Sequence, residues 1–104
     1  MVELEVNAGI CGFKTKVKAE SNEKYRCTLQ VESECSFVQK MAEKLSEVNA
    51  MNELFKKGQS QILAATEGII PHITCPVAGG ILRAVEVCSG LALPKNVSIQ
   101  FKNS

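Results

Sequence analysis

The sequence predicts an α+β fold: a two-layer sandwich in which a mostly antiparallel four-stranded sheet carries its helices on one face, in the order β-β-β-α-(α)-α-β. Three observations carry this prediction. The first third and the last few residues alternate apolar and polar side chains with a period of two. The middle repeats apolar residues every three or four positions. The first three alternating runs are separated only by short polar or glycine-containing turns, which suits a meander with helices gathered afterwards on one side. With 104 residues the chain supports one hydrophobic core, so a single domain over 1–104 is expected.

Val2, Leu4 and Val6 alternate with Glu3 and Glu5, and Phe13, Thr15, Val17 and Ala19 alternate with Lys14, Lys16 and Lys18. Each run is the pattern of a strand with one buried face. The segment from Asn7 to Gly12, with glycines at 9 and 12, is short enough to join them as an antiparallel hairpin. Ser21 to Lys24 reads as a polar turn, after which Tyr25, Cys27, Leu29 and Val31 alternate with Arg26, Thr28, Gln30 and Glu32 as a third strand.

The period then changes. Val38, Met41, Ala42, Leu45 and Val48 recur at helical spacing, with Ser36 and Gln39 as a capping box, which predicts a helix over 36–49. Shorter helical pieces are expected through Leu54 and Phe55, stopped by Gly58, and around Ile62 to Thr66. The last helix should start at Pro76 with Cys75 as its N-cap, present Ala78, Ile81, Leu82, Val85 and Cys88 on one face, and close at Gly90 and Pro94. Val97, Ile99 and Phe101 alternate with Ser98, Gln100 and Lys102 and predict the fourth strand.

Composition narrows the function classes. The formal net charge of +1 and a pI near 7.6 give no global field to draw nucleic acid or an anionic membrane, so neither is an expected partner. The longest stretch free of Asp, Glu, Lys and Arg, Gly68 to Leu82, contains two prolines and two adjacent glycines and is too short to span a bilayer. The opening MVELEVNAG lacks the basic start and apolar run of a secretory signal, so a cytoplasmic location is expected. Five cysteines cannot all pair internally, and in a reducing compartment they are expected as thiols.

Strand direction decides which of those thiols meet. If strand one finishes at the top of the sheet, Cys11 lies there. Strand two descends and strand three climbs, which brings Cys35 to the same end. Helix one descends. If the 50–70 region then makes one ascending pass, the last helix starts at the top with His72 and Cys75 beside it; without that pass the group dissolves. Three thiols and an imidazole would then gather where helix N-termini favour thiolate, a donor set suited to zinc or to an iron-sulfur cluster. The ligands come from separated segments rather than close pairs, the surroundings Ile10, Phe13, Phe37, Ile73 and Val77 are apolar, and a proline follows Cys75 as in ferredoxin-type runs, which tips the balance toward iron-sulfur.

The remaining features have plainer explanations. Cys27 and Cys88 fall on apolar faces and read as buried small hydrophobes. The comb Lys14, Lys16, Lys18 with Arg26 reads as a solvated sheet face paired with Glu3 and Glu5. Gly79 and Gly80, each costing about 1 kcal/mol relative to Ala inside a helix, suggest close approach of the last helix to the sheet, or of a cofactor or partner. The sequence shows no Ser-His-Asp set, phosphate loop or C-x-x-C motif.

The segments NAGICGF, SECS, HITCPV and GLALP resemble a small prokaryotic family marked by a CGF hairpin, a mid-chain Cys and an HxxCP segment. The resemblance spans nearly the whole chain and carries no activity with it. It implies only that Cys11, Cys35, His72 and Cys75 belong together.

The sequence therefore leads to a small cytoplasmic metal-binding protein, iron-sulfur first and zinc second, with Cys11, Cys35 and Cys75 as ligands and His72 as fourth ligand or neighbour. Its expected role is electron transfer, sensing or cofactor handling with a redox or other protein partner. Two other classes stand beside it: a thiol enzyme using Cys75 with His72 as base, and a metal-free interaction domain that forms homo-oligomers. The sparse catalytic machinery points away from an enzyme more than toward one.

Overall fold

The computed structural model describes residues 1–9, 11–72 and 74–102. Its alternating N-terminal runs become β1 (Val2–Asn7), β2 (Lys14–Glu23) and β3 (Arg26–Ser33), an antiparallel meander. A short β4 (Glu47–Asn49) pairs antiparallel with β3, giving the sheet order β1-β2-β3-β4. The helices are α1 (Ser36–Ala42), α2 (Ala50–Phe55), α3 (Gln61–Ile69) and α4 (Val77–Cys88). The fold is thus α+β, a four-stranded antiparallel sheet with its helices packed on one face.

Register explains why this face is buried. Val17 lies opposite both Leu4 and Val31, and Ala19 opposite Val2 and Leu29, so one side of the sheet is a continuous apolar surface. Lys16 sits between Glu5 and Glu32, and Lys18 between Glu3 and Gln30, so the other side presents opposite charges in neighbouring positions to solvent. α4 packs on β1 and β2, α1 on β3, and α3 against α1 and α4. Val17, Cys27 and Leu29 from the sheet meet Met41, Ile62, Ile81 and Val85 from the helices in one contiguous core. Each such large side chain contributes about 1.5–3 kcal/mol on burial.

Three local expectations change. The helix predicted over 36–49 ends at Ala42, and the chain turns through Leu45 into β4. Leu45 and Val48 are still buried, but as turn and strand residues, so their helical spacing had a different cause. β4 is held by pairing: Val48 opposes Cys27, Leu29 N–H donates to Ser46 O at 2.8 Å, and Arg26 Nε donates to Glu47 Oε1 at 2.9 Å. The Arg26 guanidinium holds the Glu47 carboxyl below the usual carboxylate range, while both side chains remain largely exposed. Second, the fourth strand is therefore Glu47–Asn49 and not 97–101; residues 93–101 carry no regular structure. Third, the turn before β3 is Lys24–Tyr25 rather than 21–24: β2 runs on to Glu23 through a bulge, and Tyr25 takes the uncommon φ of +65°.

The helix ends differ from expectation in detail. Cys35 is the N-cap residue of α1 without a side-chain cap bond; Gln39 Nε2 donates instead to Ser33 O at 2.8 Å, so no Ser36–Gln39 capping box forms. Pro76 is the N-cap of α4, one position later than expected for that cap. Asn49 Oδ1 caps α2 by accepting from the Met51 and Asn52 amides, and Gly58, at φ +83°, turns the chain toward α3.

The paired glycines of α4 separate cleanly. A Cβ on Gly79 would meet nothing within 4 Å, whereas one on Gly80 would overlap Val6 Cγ2 of β1. Close packing of helix on sheet is therefore the use of Gly80. Valine is stiff at χ1, so Val6 gives way poorly. Gly80→Ala should destabilise the fold by about 1–3 kcal/mol, while Gly79→Ala should be neutral or gain up to about 1 kcal/mol. Urea denaturation of the two variants checks this, and equal midpoints would contradict the packing assigned here.

Candidate functional site

Chain direction brings Cys11, Cys35 and Cys75 toward one end of the sheet. β1 climbs to Asn7, β2 descends, and β3 climbs to Ser33. After α1 and β4 come down, α3 makes one ascending pass, its start fastened by a buried carboxylate. Glu53 accepts hydrogen bonds from Ser60 Oγ (2.7 Å), Gln61 N–H (2.8 Å) and Ile62 N–H (3.0 Å), the free donors of the first turn of α3. α3 delivers Ile70 to the top, and α4 descends from there.

Each loop at that end has a reason for its shape. In the β1–β2 hairpin, Gly12 N–H donates to Gly9 O at 2.9 Å, and both glycines take positive φ, which keeps Cys11 in a tight exposed turn. Cys35 is fixed through its backbone. Its N–H donates to Ser33 Oγ at 3.1 Å, and the same oxygen accepts from the buried Thr15 hydroxyl at 2.8 Å. In the α3–α4 connection, Pro71 and Pro76 bracket the segment that holds His72 and Cys75, and proline disfavours helix in the residue before it. Ile70, before Pro71, is accordingly extended and ends α3.

Cys11, Cys35, His72 and Cys75 all line a single cavity of about 130 Å³ at this end. Its walls are apolar: Phe13, Phe37, Val38, Ile70 and Val77. Ile10 and Ile73, expected to join them, lie outside the described residues. Cys11 and His72 are exposed, whereas Cys35 and Cys75 are half-buried. The Thr74 hydroxyl stands 3.5 Å from His72 Nδ1, long for a hydrogen bond, so the imidazole is weakly restrained. Among the described residues, no three His, Cys, Asp or Glu side chains stand close enough to share one metal ion.

The other two thiols lie elsewhere. Cys27 is fully buried under α4, its thiol donating to Val85 O at 3.9 Å, and burial together with the neighbouring Cys88 thiol pushes it up to about 12. Sequence reasoning assigned both to apolar faces, and Cys27 sits in the core while half-buried Cys88 packs against it. A larger cavity of about 240 Å³ opens beside the α2–α3 turn. It holds no thiol, and its carboxylate, Glu53, is satisfied by α3. Sequence reasoning missed Glu53 because an acidic residue in a short helix looks like surface; its signal was the Ser60 two residues ahead of an apolar run, which marks a helix start.

A family model described as a family of unknown function, DUF6951, matches residues 2–101. The chain belongs to this family. No curated protein and no solved structure gives a significant match. Among the described residues of this DUF6951 chain, no helix is long and apolar enough to cross a membrane.

Burial sorts the five thiols by reactivity. With a thiol reagent under native conditions, Cys11 should label first, Cys35, Cys75 and Cys88 more slowly, and Cys27 only as the protein unfolds. The raised Cys27 value also fixes a sign. The folded thiol keeps its proton to higher pH than the unfolded one, so its stabilising contribution is intact below the ordinary thiol range and lost as pH climbs toward about 12. Mass-spectrometric mapping of labelled sites tests the order, and early labelling of Cys27 would contradict it.

Proposed function

We propose that the cavity at the top of the sheet is the functional site and that it holds a thiophilic metal centre, an iron-sulfur cluster in the first instance. Cys11, Cys35 and Cys75 serve as thiolate ligands, with His72 as fourth ligand or neighbour. The observation that carries this reading is the convergence of all four side chains on one small apolar cavity from three separate loops. Residues brought together from positions 11, 35 and 72–75 are held by unrelated local devices, so their meeting is a property of the whole fold.

The spacing of the donors favours a cluster over a lone zinc. A single Zn²⁺ needs four donors at about 2.0–2.3 Å around one point, and among the described residues no three His, Cys, Asp or Glu side chains are grouped to hold one ion. A cluster spreads its irons apart, so each thiolate meets its own iron. Apolar walls limit water at the cluster, and a histidine at one iron raises the potential of such centres. The exposed Cys11 and His72 leave one side open to a protein partner, which fits electron transfer, sensing or cofactor handling in the cytoplasm. Zinc at the same residues is the alternative occupant. We further take the CGF hairpin, Cys35 and the HxxCP segment as the parts of this family that carry its function.

The test is one anaerobic preparation. Protein purified without oxygen should be coloured, with thiolate-to-iron absorbance between about 300 and 450 nm, and should contain iron. Cys11→Ser, Cys35→Ser and Cys75→Ser should each lose most of the metal, while Cys27→Ser and Cys88→Ser should keep it. Colourless protein with stoichiometric zinc would replace the cluster by zinc, and protein free of both metals would overturn the proposal.

A further inference from the structure

Residues 97–101 keep the pattern of a strand without belonging to one. Val97, Ile99 and Phe101 alternate with Ser98, Gln100 and Lys102. They are exposed to 61%, 89% and 89% respectively, so the apolar side of this segment lies in water. Among the described residues its only neighbouring backbone hydrogen bond outside helices and strands is local, Lys95 N–H to Leu93 O. A segment of this composition, with β-branched and aromatic side chains on one side, gains by pairing with a sheet edge.

The sheet offers such an edge. Among the described residues β1 pairs with β2 alone, which leaves its other side open to a further strand. Its inward residues Val2, Leu4 and Val6 pack against the core yet remain only half-buried, unlike Val17 and Ala19 on the next strand. The helix layer therefore covers them only in part. Charge fits as well. β1 carries Glu3 and Glu5 on its solvent side and no cation, and Lys102 follows Ser98 and Gln100 on the polar side of the segment, which carries no acid.

We propose that residues 97–101 of one chain add as a fifth strand to the β1 edge of a second copy, and reciprocally, forming a two-fold dimer. Val97, Ile99 and Phe101 then continue the apolar face beside Val2, Leu4 and Val6, while Ser98 and Gln100 lie beside Glu3 and Glu5. Both tails and both β1 edges are paired at once, so the assembly closes at two copies. Among the described residues neither the segment nor the β1 edge is paired within the chain, and in the proposed dimer the edge comes from a second copy.

Light scattering after size-exclusion chromatography tests the stoichiometry, with the 11.3 kDa chain expected at twice that mass. A variant ending at Asn96 and the variant Ile99→Pro should both become monomers, with far-UV circular dichroism of the core retained. Hydrogen exchange provides the second readout: amides of 97–101 should be protected in the wild-type dimer and exchange freely in Ile99→Pro. A wild-type monomer would overturn the proposal, and protected tail amides in that monomer would mean the tail pairs with its own edge. A dimer that survives removal of the tail, or one whose 97–101 amides are unprotected, would overturn it equally.

Discussion

The Glu53 carboxylate is buried against the first turn of α3, where the Ser60 hydroxyl and the Gln61 and Ile62 amides all donate to it. A carboxylate removed from water costs several kcal/mol unless it is hydrogen-bonded. The amides at a helix start are in turn donors without an intrahelical acceptor. Each satisfies the other, and among the described residues no buried side-chain polar atom is left without a partner. This junction turns α2 into α3 and sets α3 climbing. From there α4 must descend, Gly80 meets Val6, and the segment holding His72 and Cys75 falls at the same end of the sheet as Cys11 and Cys35.

The two ends of the sheet treat their thiols in opposite ways. At the lower end, Cys27 is sealed under α4 and its thiol is held protonated by burial and by Cys88. At the upper end, Cys11, Cys35 and Cys75 stand on loops with at least partial access to solvent. Those loops are constrained by local chemistry: a glycine turn, the Thr15–Ser33 hydroxyl pair that holds the Cys35 amide, and prolines on both sides of the His72–Cys75 segment. Such anchoring leaves the side chains as the adjustable part of the site.

Much of this was legible in the sequence. The first three strands and α4 follow from period-two and helical spacing, because each buries one clear face. The α+β class followed from their order. What failed was interpretation of period without context. Leu45 and Val48 fit a helix but are buried by a turn and by β4, whose three residues are too short to alternate visibly. Val97 to Phe101 fit a strand, and local pattern cannot say whether a strand finds its partner within the same chain. The shared position of Cys11 and Cys35 was readable from hairpin geometry, whereas that of His72 and Cys75 depended on the ascending pass of α3, which only Ser60 and the apolar residues after it announced.

The account rests on the upper cavity acting as one metal site built from three loops. Anomalous diffraction at the iron and zinc edges, from crystals of anaerobically prepared protein, examines that directly. The expected result is a single strong metal signal inside the cavity, in bonding contact with Cys11, Cys35 and Cys75 and beside His72. A signal elsewhere, such as at Cys27 and Cys88, or none at either edge, would contradict it.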